Sequence, residues 1–345
     1  MKHIWVLVIA LLAFTACKSD KPNVSHLEAH VEITRFDQDF FGIDTLRLEE
    51  SFDQLHHKYP DFFVPFMANI MGIQPGTAQV KEAVSAFLNS YRPVYERAQH
   101  VAGKHLPILQ KDLEEALKYM QYYFPQFRPE NPFNITTFIG PMDAYEPFAI
   151  GDYGDVRTAD GVGIALQFHL GADDPVYDEG QKAGILYDYQ TRRFIPEMML
   201  VNSMKNVIDD AYPLRQAGLN LVENMVEKGK RLYALKKILP DTPDSLQLGY
   251  TTMQLQGCIR QEALIWNFFV RNDLLYSKDE MVNKNYNQDG PHTQELGEGS
   301  PGYIGLFVGR RIVETFMENH PEITLPELMQ KPALEVFQQS RYTGK

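Results

Sequence analysis

Three ionisable side chains in this sequence could take part in acid–base chemistry: Glu197, Glu262 and His169. Carboxylates and imidazoles are common general acids and bases of hydrolases, and the two carboxylates lie on successive predicted helices. Glu197 follows Pro196 at the start of its helix, where a carboxylate also stabilises the helix dipole by about 0.3–1 kcal/mol. We favour this structural role for Glu197 and keep catalysis as the alternative.

Glu262 and His169 also have structural interpretations. Glu262 lies on a partly apolar helical stripe between Cys258 and Trp266, and a carboxylate among apolar side chains needs a partner. We expect that partner to be an arginine, such as Arg192, Arg193 or Arg260. His169 ends the predicted central strand, and a lone histidine there is more often hydrogen-bonded than catalytic. A ligand or substrate role is the alternative for both residues.

Two groups have the residue types of a metal site without the spacing of a known motif. His26 and His30 could share one helical face, but they are not in the His-Glu-x-x-His order of zinc peptidases. The region after residue 277 carries four residues that could bind calcium, without the spacing of an EF-hand loop. These four are Asp289, His292, Glu295 and Glu298. We therefore predict no metal and no cofactor.

The elements that would position these residues are a buried strand and the helix after it. Residues 162–170 are apolar on both faces, which is typical of a strand inside a sheet. Weaker strand patterns precede it at 31–41, 134–140 and 147–151. Helical periodicity covers 46–124 and most of the chain after Pro196. The sequence predicts an α+β fold that is mostly α-helical, with a small central β-sheet flanked by helices.

The C-terminal half carries two further structural predictions. Residues 250–276 repeat apolar side chains at helical spacing, which predicts one long helix. Residues 277–302 are polar and predict a long loop, and loops of that length in compact domains are often functional.

Composition and charge are those of an ordinary globular protein. The chain has 345 residues, of which 44% are hydrophobic and 23% are charged. The formal net charge of −12 makes a broad nucleic-acid-binding surface unfavourable. The densest basic cluster, residues 228–231, predicts a solvated helix face.

The N-terminus predicts export and lipid attachment. An apolar run from Ile4 to Phe14 is shorter than the roughly 20 residues of a membrane-spanning helix, and has the length of a signal-peptide core. Small residues before Cys17 resemble a lipobox, so we predict a signal peptide at 1–16, a membrane tether at 17–29 and a single globular domain at 30–345. Acyl chains on Cys17 would anchor the protein at about 0.8 kcal/mol per buried CH₂. Cys258 would then have no disulfide partner and is expected to be a buried, inert thiol.

Segments along nearly the whole mature chain resemble one family, the gliding-motility lipoprotein GldB family of Bacteroidetes. They are the Cys17 lipobox and residues 35–41, 122–125, 163–171, 193–197, 233–240, 262–266 and 302–309. The resemblance implies a lipid-anchored protein of the cell envelope, with its domain outside the cytoplasm. It also implies partners among other envelope lipoproteins and the gliding or type IX secretion machinery.

The family is also similar to zincin-type peptidases, which implies a degenerate zincin-like fold. Glu197 would match their general base and Glu262 their later carboxylate, but Pro196 and Leu200 occupy the two histidine positions and cannot bind zinc. We therefore predict a non-catalytic protein that binds partners. The alternatives are a diverged zincin-like hydrolase and a module that binds a small ligand or glycan through aromatic residues. Those aromatic residues are Tyr145, Phe148 and Tyr153.

Overall fold

The computed structural model describes residues 21–73, 79–143, 154–214 and 218–344. Its sheet has four strands in the order β1–β2–β4–β3. The strands are β1 Val31–Thr34, β2 Phe133–Phe138, β3 Val156–Arg157 and β4 Gly161–Ala165. Strands β1, β2 and β4 are parallel, whereas β3 is antiparallel to β4. The predicted small central sheet is confirmed, and the strand predicted at 147–151 lies outside the described residues.

Helices surround this sheet, so the prediction of a mostly helical α+β fold is confirmed. The helices that precede β2 are α1 Phe36–Phe41, α2 Leu48–Lys58, α3 Phe63–Pro65, α4 Val80–Ser90, α5 Arg92–His100 and α6 Ala102–Tyr123. The helices from β4 to residue 248 are α7 Val176–Lys182, α8 Asp188–Thr191, α9 Met198–Ala211, α10 Leu221–Ile238 and α11 Asp244–Leu248. The remaining helices are α12 Thr252–Arg260, α13 Glu262–Arg271, α14 Glu280–Asn287, α15 Ile304–Asn319, α16 Leu325–Gln330 and α17 Ala333–Ser340.

The central strand is shorter than the apolar run that predicts it. All five residues of β4 are buried, but the strand ends at Ala165 and a 3₁₀ turn follows at Leu166–Phe168. The Ala165 N–H donates to the carboxylate of Asp155 at 2.8 Å, so it is not available to a neighbouring strand. Burial continues through the turn, which is why the apolar pattern alone did not mark the end of the strand.

Three other predicted segments have a different local structure. The strand and turn expected at 31–41 are a strand followed by helix α1. The long helix expected at 250–276 is two helices, separated at Gln261 by a backbone with φ −110° and ψ 17°. The loop expected at 277–302 contains α14, because the side chain of Asp279 accepts hydrogen bonds from the N–H groups of Met281 and Val282 and caps that helix.

Helix α10 lies at the centre of the helical part and packs against α15. The two backbones approach at a pair of glycines. A Cβ added to Gly229 would lie 2.2 Å from the carbonyl oxygen of Gly309, and one added to Gly309 would lie 1.8 Å from that of Met225. No larger residue fits at either position without separating the helices.

The basic cluster on α10 is buried, which corrects the prediction of a solvated face. Lys228, Lys230 and Arg231 are each less than 5% exposed. Lys228 donates to the carbonyl of Asn287 at 2.6 Å and to the hydroxyl of Tyr303 at 2.8 Å. Burial lowers the pKa of Lys228 to about 7.

The other two buried cations have a partner on α10 itself, Glu227, and further partners in distant parts of the chain. Lys230 donates to Glu227 and to the carbonyl of Lys331. Arg231 donates to the carbonyl of Tyr212 and lies 3.2 Å from the carboxylate of Asp209. These contacts join α10 to elements on both sides of it, so the cluster holds the helical core together.

The segment 21–29 lies against the domain. Val24 is buried, and the side chain of Gln121 on α6 donates to the carbonyl of Glu28 at 3.0 Å. Lys21 forms an ion pair with Asp241, which follows α10. Within the described ranges, no helix combines the length and the apolar composition that a bilayer-spanning segment requires.

Candidate functional site

His169 belongs to a buried polar network beside the central sheet. Its Nε2 lies 2.8 Å from Asp155 Oδ2, and its Nδ1 lies 3.1 Å from the carbonyl oxygen of Ile195. The side-chain amide of Asn202 on α9 also donates to Asp155, at 2.9 Å. Asp155 and His169 are both at most 1% exposed. The network ties the turn after β4 to the residues that lead into β3 and to α9.

The hydrogen-bond pattern gives His169 a structural role. A carbonyl oxygen can only accept, so Nδ1 donates to Ile195, and Nε2 faces a carboxylate that also accepts. Both ring nitrogens therefore lie against oxygen atoms of the protein, and the ring is at most 1% exposed, so neither nitrogen is accessible to a substrate. Asp155 and Asn202 were not singled out from the sequence. Asn202 and Asn206, four residues apart on a largely apolar helix, were the signal that could have indicated a buried polar partner.

Glu262 is also engaged in structure. Its Oε1 accepts from Arg311 Nε at 2.9 Å and from the Tyr342 hydroxyl at 2.8 Å, and the residue is 8% exposed. These bonds join α13 to α15 and to the C-terminal residues. Pairing with an arginine was predicted correctly, but the partner is Arg311 on α15. The sequence suggested three other arginines because it does not show that α15 packs beside α13.

Glu197 takes part in neither network, although Ile195, two residues before it, contacts His169; it is the exposed N-cap of α9. The predicted helix start at Pro196 is therefore two residues early, and the Glu197 side chain does not cap the helix. Instead it lines an open groove of about 300 Å³, bounded by α6, the start of α9 and the turn that joins α10 to α11. Leu200, one turn into α9, lines the same groove.

The groove combines an apolar floor with acidic sides. Seven aliphatic residues line it: Ile108, Leu109, Ala116, Leu200, Ile238, Leu239 and Leu246. Its acidic residues are Asp112, Glu115, Glu197 and Asp241. Within the described part of the chain, Asp112, Glu115 and Glu197 form no hydrogen bond or ion pair. Burial raises the pKa of Asp112. The groove therefore presents negative charge beside apolar surface.

A second buried carboxylate lies at the carboxyl ends of two parallel strands, where α/β proteins often bind ligands. Asp37 on α1 is fully buried and accepts from Arg35 Nε at 2.9 Å and from Gln99 Nε2 at 2.7 Å. Thr137 at the end of β2 donates to the same carboxylate. The hydrogen bonds of Asp37 therefore hold β1, β2 and α5 together. The sequence indicated Asp37 only as part of the segment 35–41.

The residue groups considered for metals have other contacts. His30 directly precedes β1 and is hydrogen-bonded to Glu32 at 3.1 Å, so it is not on a helix with His26. Asp289 forms an ion pair with Arg193. Across the described ranges, no three His, Cys, Asp or Glu side chains lie close enough together to hold a metal ion. Tyr145, Phe148 and Tyr153 lie outside the described residues, as do Cys17 and the predicted signal peptide.

The family comparison accounts for almost the whole chain. Residues 17–344 match the family model described as gliding motility protein GldB. The chain belongs to this family. Neither a curated protein nor a solved structure matched it.

GldB membership indicates a gliding-motility lipoprotein that is anchored to a membrane of the cell envelope. The matched region begins at Cys17, the residue predicted to carry the lipid. The zincin similarity inferred for Pro196–Leu200 forms no part of this match and stays a prediction.

Proposed function

We propose that this GldB-family chain is a non-catalytic lipoprotein, anchored through Cys17, that acts by binding other proteins of the gliding and secretion machinery. The family match supports the lipoprotein class and the link to gliding. The binding role is our inference from the state of the candidate catalytic groups.

One observation carries the argument: the three candidate catalytic residues do not share a site. His169 is bound between Asp155 and the carbonyl of Ile195, and Glu262 accepts from Arg311 and Tyr342. Glu197 lines a groove whose walls include neither of these residues. A hydrolase needs its base, its electrophile and the attacking water within hydrogen-bond reach of one substrate bond. Three separated groups do not meet that requirement.

The anchor is tested by replacing the predicted lipidated cysteine. We expect Cys17→Ala to move the protein from the membrane fraction to the soluble envelope fraction, because its acyl chains can no longer insert. Cys258→Ala is the matched control, since Cys258 is buried and its loss should leave the protein in the membrane. A Cys17→Ala protein that stays membrane-bound after signal-peptide cleavage would disprove the anchor.

The absence of catalysis is tested in cells by gliding and in the purified protein by its metal content. In cells, we expect Glu262→Gln to support gliding in proportion to the amount of folded protein, because this carboxylate performs no chemistry. Metal analysis of the wild type provides an independent measurement. One tightly bound zinc ion per chain that is lost in this variant would favour the diverged hydrolase and refute the proposal.

A further inference from the structure

The groove beside Glu197 has properties that the anchor alone does not explain. Ile108 lies on its edge with 58% of its surface exposed, although it belongs to a helix whose other apolar residues are mostly buried. Asp112, Glu115 and Tyr119 follow Ile108 on α6 at spacings of three and four residues, so the four side chains share one face of the helix. All four side chains line the groove, and Tyr119 also belongs to the core.

The charges in the groove are of one sign. Asp112, Glu115 and Glu197 line it, and no described basic side chain forms an ion pair with any of the three. Lys21, at its border, is paired with Asp241. Asp112 is half-buried, whereas Glu115 and Glu197 are exposed. Burial raises the pKa of Asp112, and a cation bound in the groove would favour its charged form. Folding alone gives no reason to place these carboxylates beside exposed apolar surface.

The position of the groove also limits what can reach it. Lys21 contacts its wall, and Lys21 lies only four positions after Cys17. Four residues span at most about 14 Å when fully extended. In the anchored protein the groove therefore lies close to the membrane surface.

From these observations we propose that the groove binds a membrane-proximal peptide segment of a partner protein, in which apolar residues alternate with lysine or arginine. Its apolar side chains would pack on Ile108, Leu200 and Leu246, and its cations would pair with Asp112, Glu115 and Glu197. This occupant matches both the apolar floor and the negative sides, whereas an anionic lipid headgroup would be repelled. The proposal rests on the proposed function, because it specifies the chemistry of the partner.

A pair of synthetic peptides tests the charge preference. Both are rich in leucine, and one carries lysines where the other carries glutamates. The full lipid-anchored chain is held in phosphatidylcholine nanodiscs, with empty nanodiscs as the blank, and binding is followed by fluorescence anisotropy. We expect the lysine peptide to bind at least about tenfold more tightly, a difference of about 1.4 kcal/mol, and to lose affinity as salt is raised.

Two sets of variants assign this binding to the groove. Asp112→Asn, Glu115→Gln and Glu197→Gln together should weaken the lysine peptide at least about tenfold. The matched control removes three exposed carboxylates elsewhere: Glu280, Glu298 and Glu322, each changed to glutamine. Ile108→Ser should also weaken binding, whereas Ile259→Ser, at a residue of similar exposure on α12, should leave it unchanged.

Several results would overturn the proposal. Equal affinity for both peptides would do so, as would wild-type affinity in the triply neutralised groove. A photoreactive residue at position 108 should crosslink to the lysine peptide, and crosslinking to lipid alone would assign the groove to the membrane instead. Failure of the membrane anchor is a separate outcome. A Cys17→Ala protein that stays in the membrane would refute the anchor, but it would not change the preference of the groove for the lysine peptide.

Discussion

Glu314 provides a direct test of the charge network in the helical core. It lies on α15 and accepts from Lys236 Nζ at 2.9 Å, Arg310 Nε at 3.1 Å and Arg311 Nη1 at 2.6 Å. Burial alone would raise its pKa, but the charge of Arg310 and the hydrogen bonds from Lys236 and Arg311 lower the pKa to about 2. Glu314→Gln removes the negative charge and keeps the shape of the side chain.

The expected loss follows from the pKa difference between the folded and unfolded states. The change from the usual 4.5 to about 2 corresponds to about 3 kcal/mol, at about 1.36 kcal/mol per pKa unit. Because the folded pKa is the lower one, this stability is present above pH 4.5 and is lost as the pH falls towards 2. The wild type and Glu314→Gln should differ by about 3 kcal/mol at pH 7 and by about 2 kcal/mol at pH 3.5.

Urea unfolding followed by the fluorescence of Trp266, measured at several pH values, gives both the size and the pH dependence. Glu318→Gln is the matched control, since Glu318 is exposed on the same helix and its loss should change the free energy of unfolding by less than about 0.5 kcal/mol. A difference between the wild type and Glu314→Gln that stays constant from pH 7 to 3.5 would show that the charge of Glu314 does not stabilise the fold.

Two further predictions concern the packing and charge of α10. Gly309→Ala should lower the free energy of unfolding by more than about 3 kcal/mol or prevent folding, because its Cβ would overlap the Met225 carbonyl. Gly257→Ala in α12, where a Cβ meets open space, should raise the free energy of unfolding by up to about 1 kcal/mol, and thermal unfolding compares the two variants. Lys228→Met should be more stable relative to the wild type at pH 7 than at pH 9. Between pH 7 and 9 the unfolded wild type keeps the Lys228 side chain protonated, whereas the folded state, in which the Lys228 pKa is about 7, loses that proton, so the stability of the wild type rises with pH. Denaturant unfolding at both pH values measures the stability difference between wild type and variant, and a difference that does not change with pH would contradict the prediction.

Local patterns predicted the secondary structure where the determining interactions are themselves local. The chain after Pro196 was predicted to be mostly helical, and it contains α10 from Leu221 to Ile238 and α16 from Leu325 to Gln330. Helical spacing of apolar residues and capping side chains lie within a few residues of each other, so they are visible in the sequence. The break at Gln261 was missed because the apolar spacing continues on both sides of it.

The candidate site was less predictable from the sequence, since its decisive contacts join distant residues. The burial of Cys258 was predicted and is confirmed, with its thiol pKa raised to about 12 by desolvation. The partners of Glu262 and His169 were not found, because Arg311 and Asp155 come from other elements. The groove was missed for the same reason, as its two sides belong to α6 and to the residues around Glu197.

The sequence by itself determined the family, the α+β class and most helix positions, because these depend on residue types and on spacings within single segments. Only the tertiary structure decided that the lysines and arginine of α10 are buried and that the three candidate catalytic residues are separated. It also decided that an acidic, partly apolar groove opens near the predicted anchor. Whether a charged side chain is exposed, paired inside the core or directed at a groove depends on which distant element packs against it. The spacing of residues within one segment does not show which element that is.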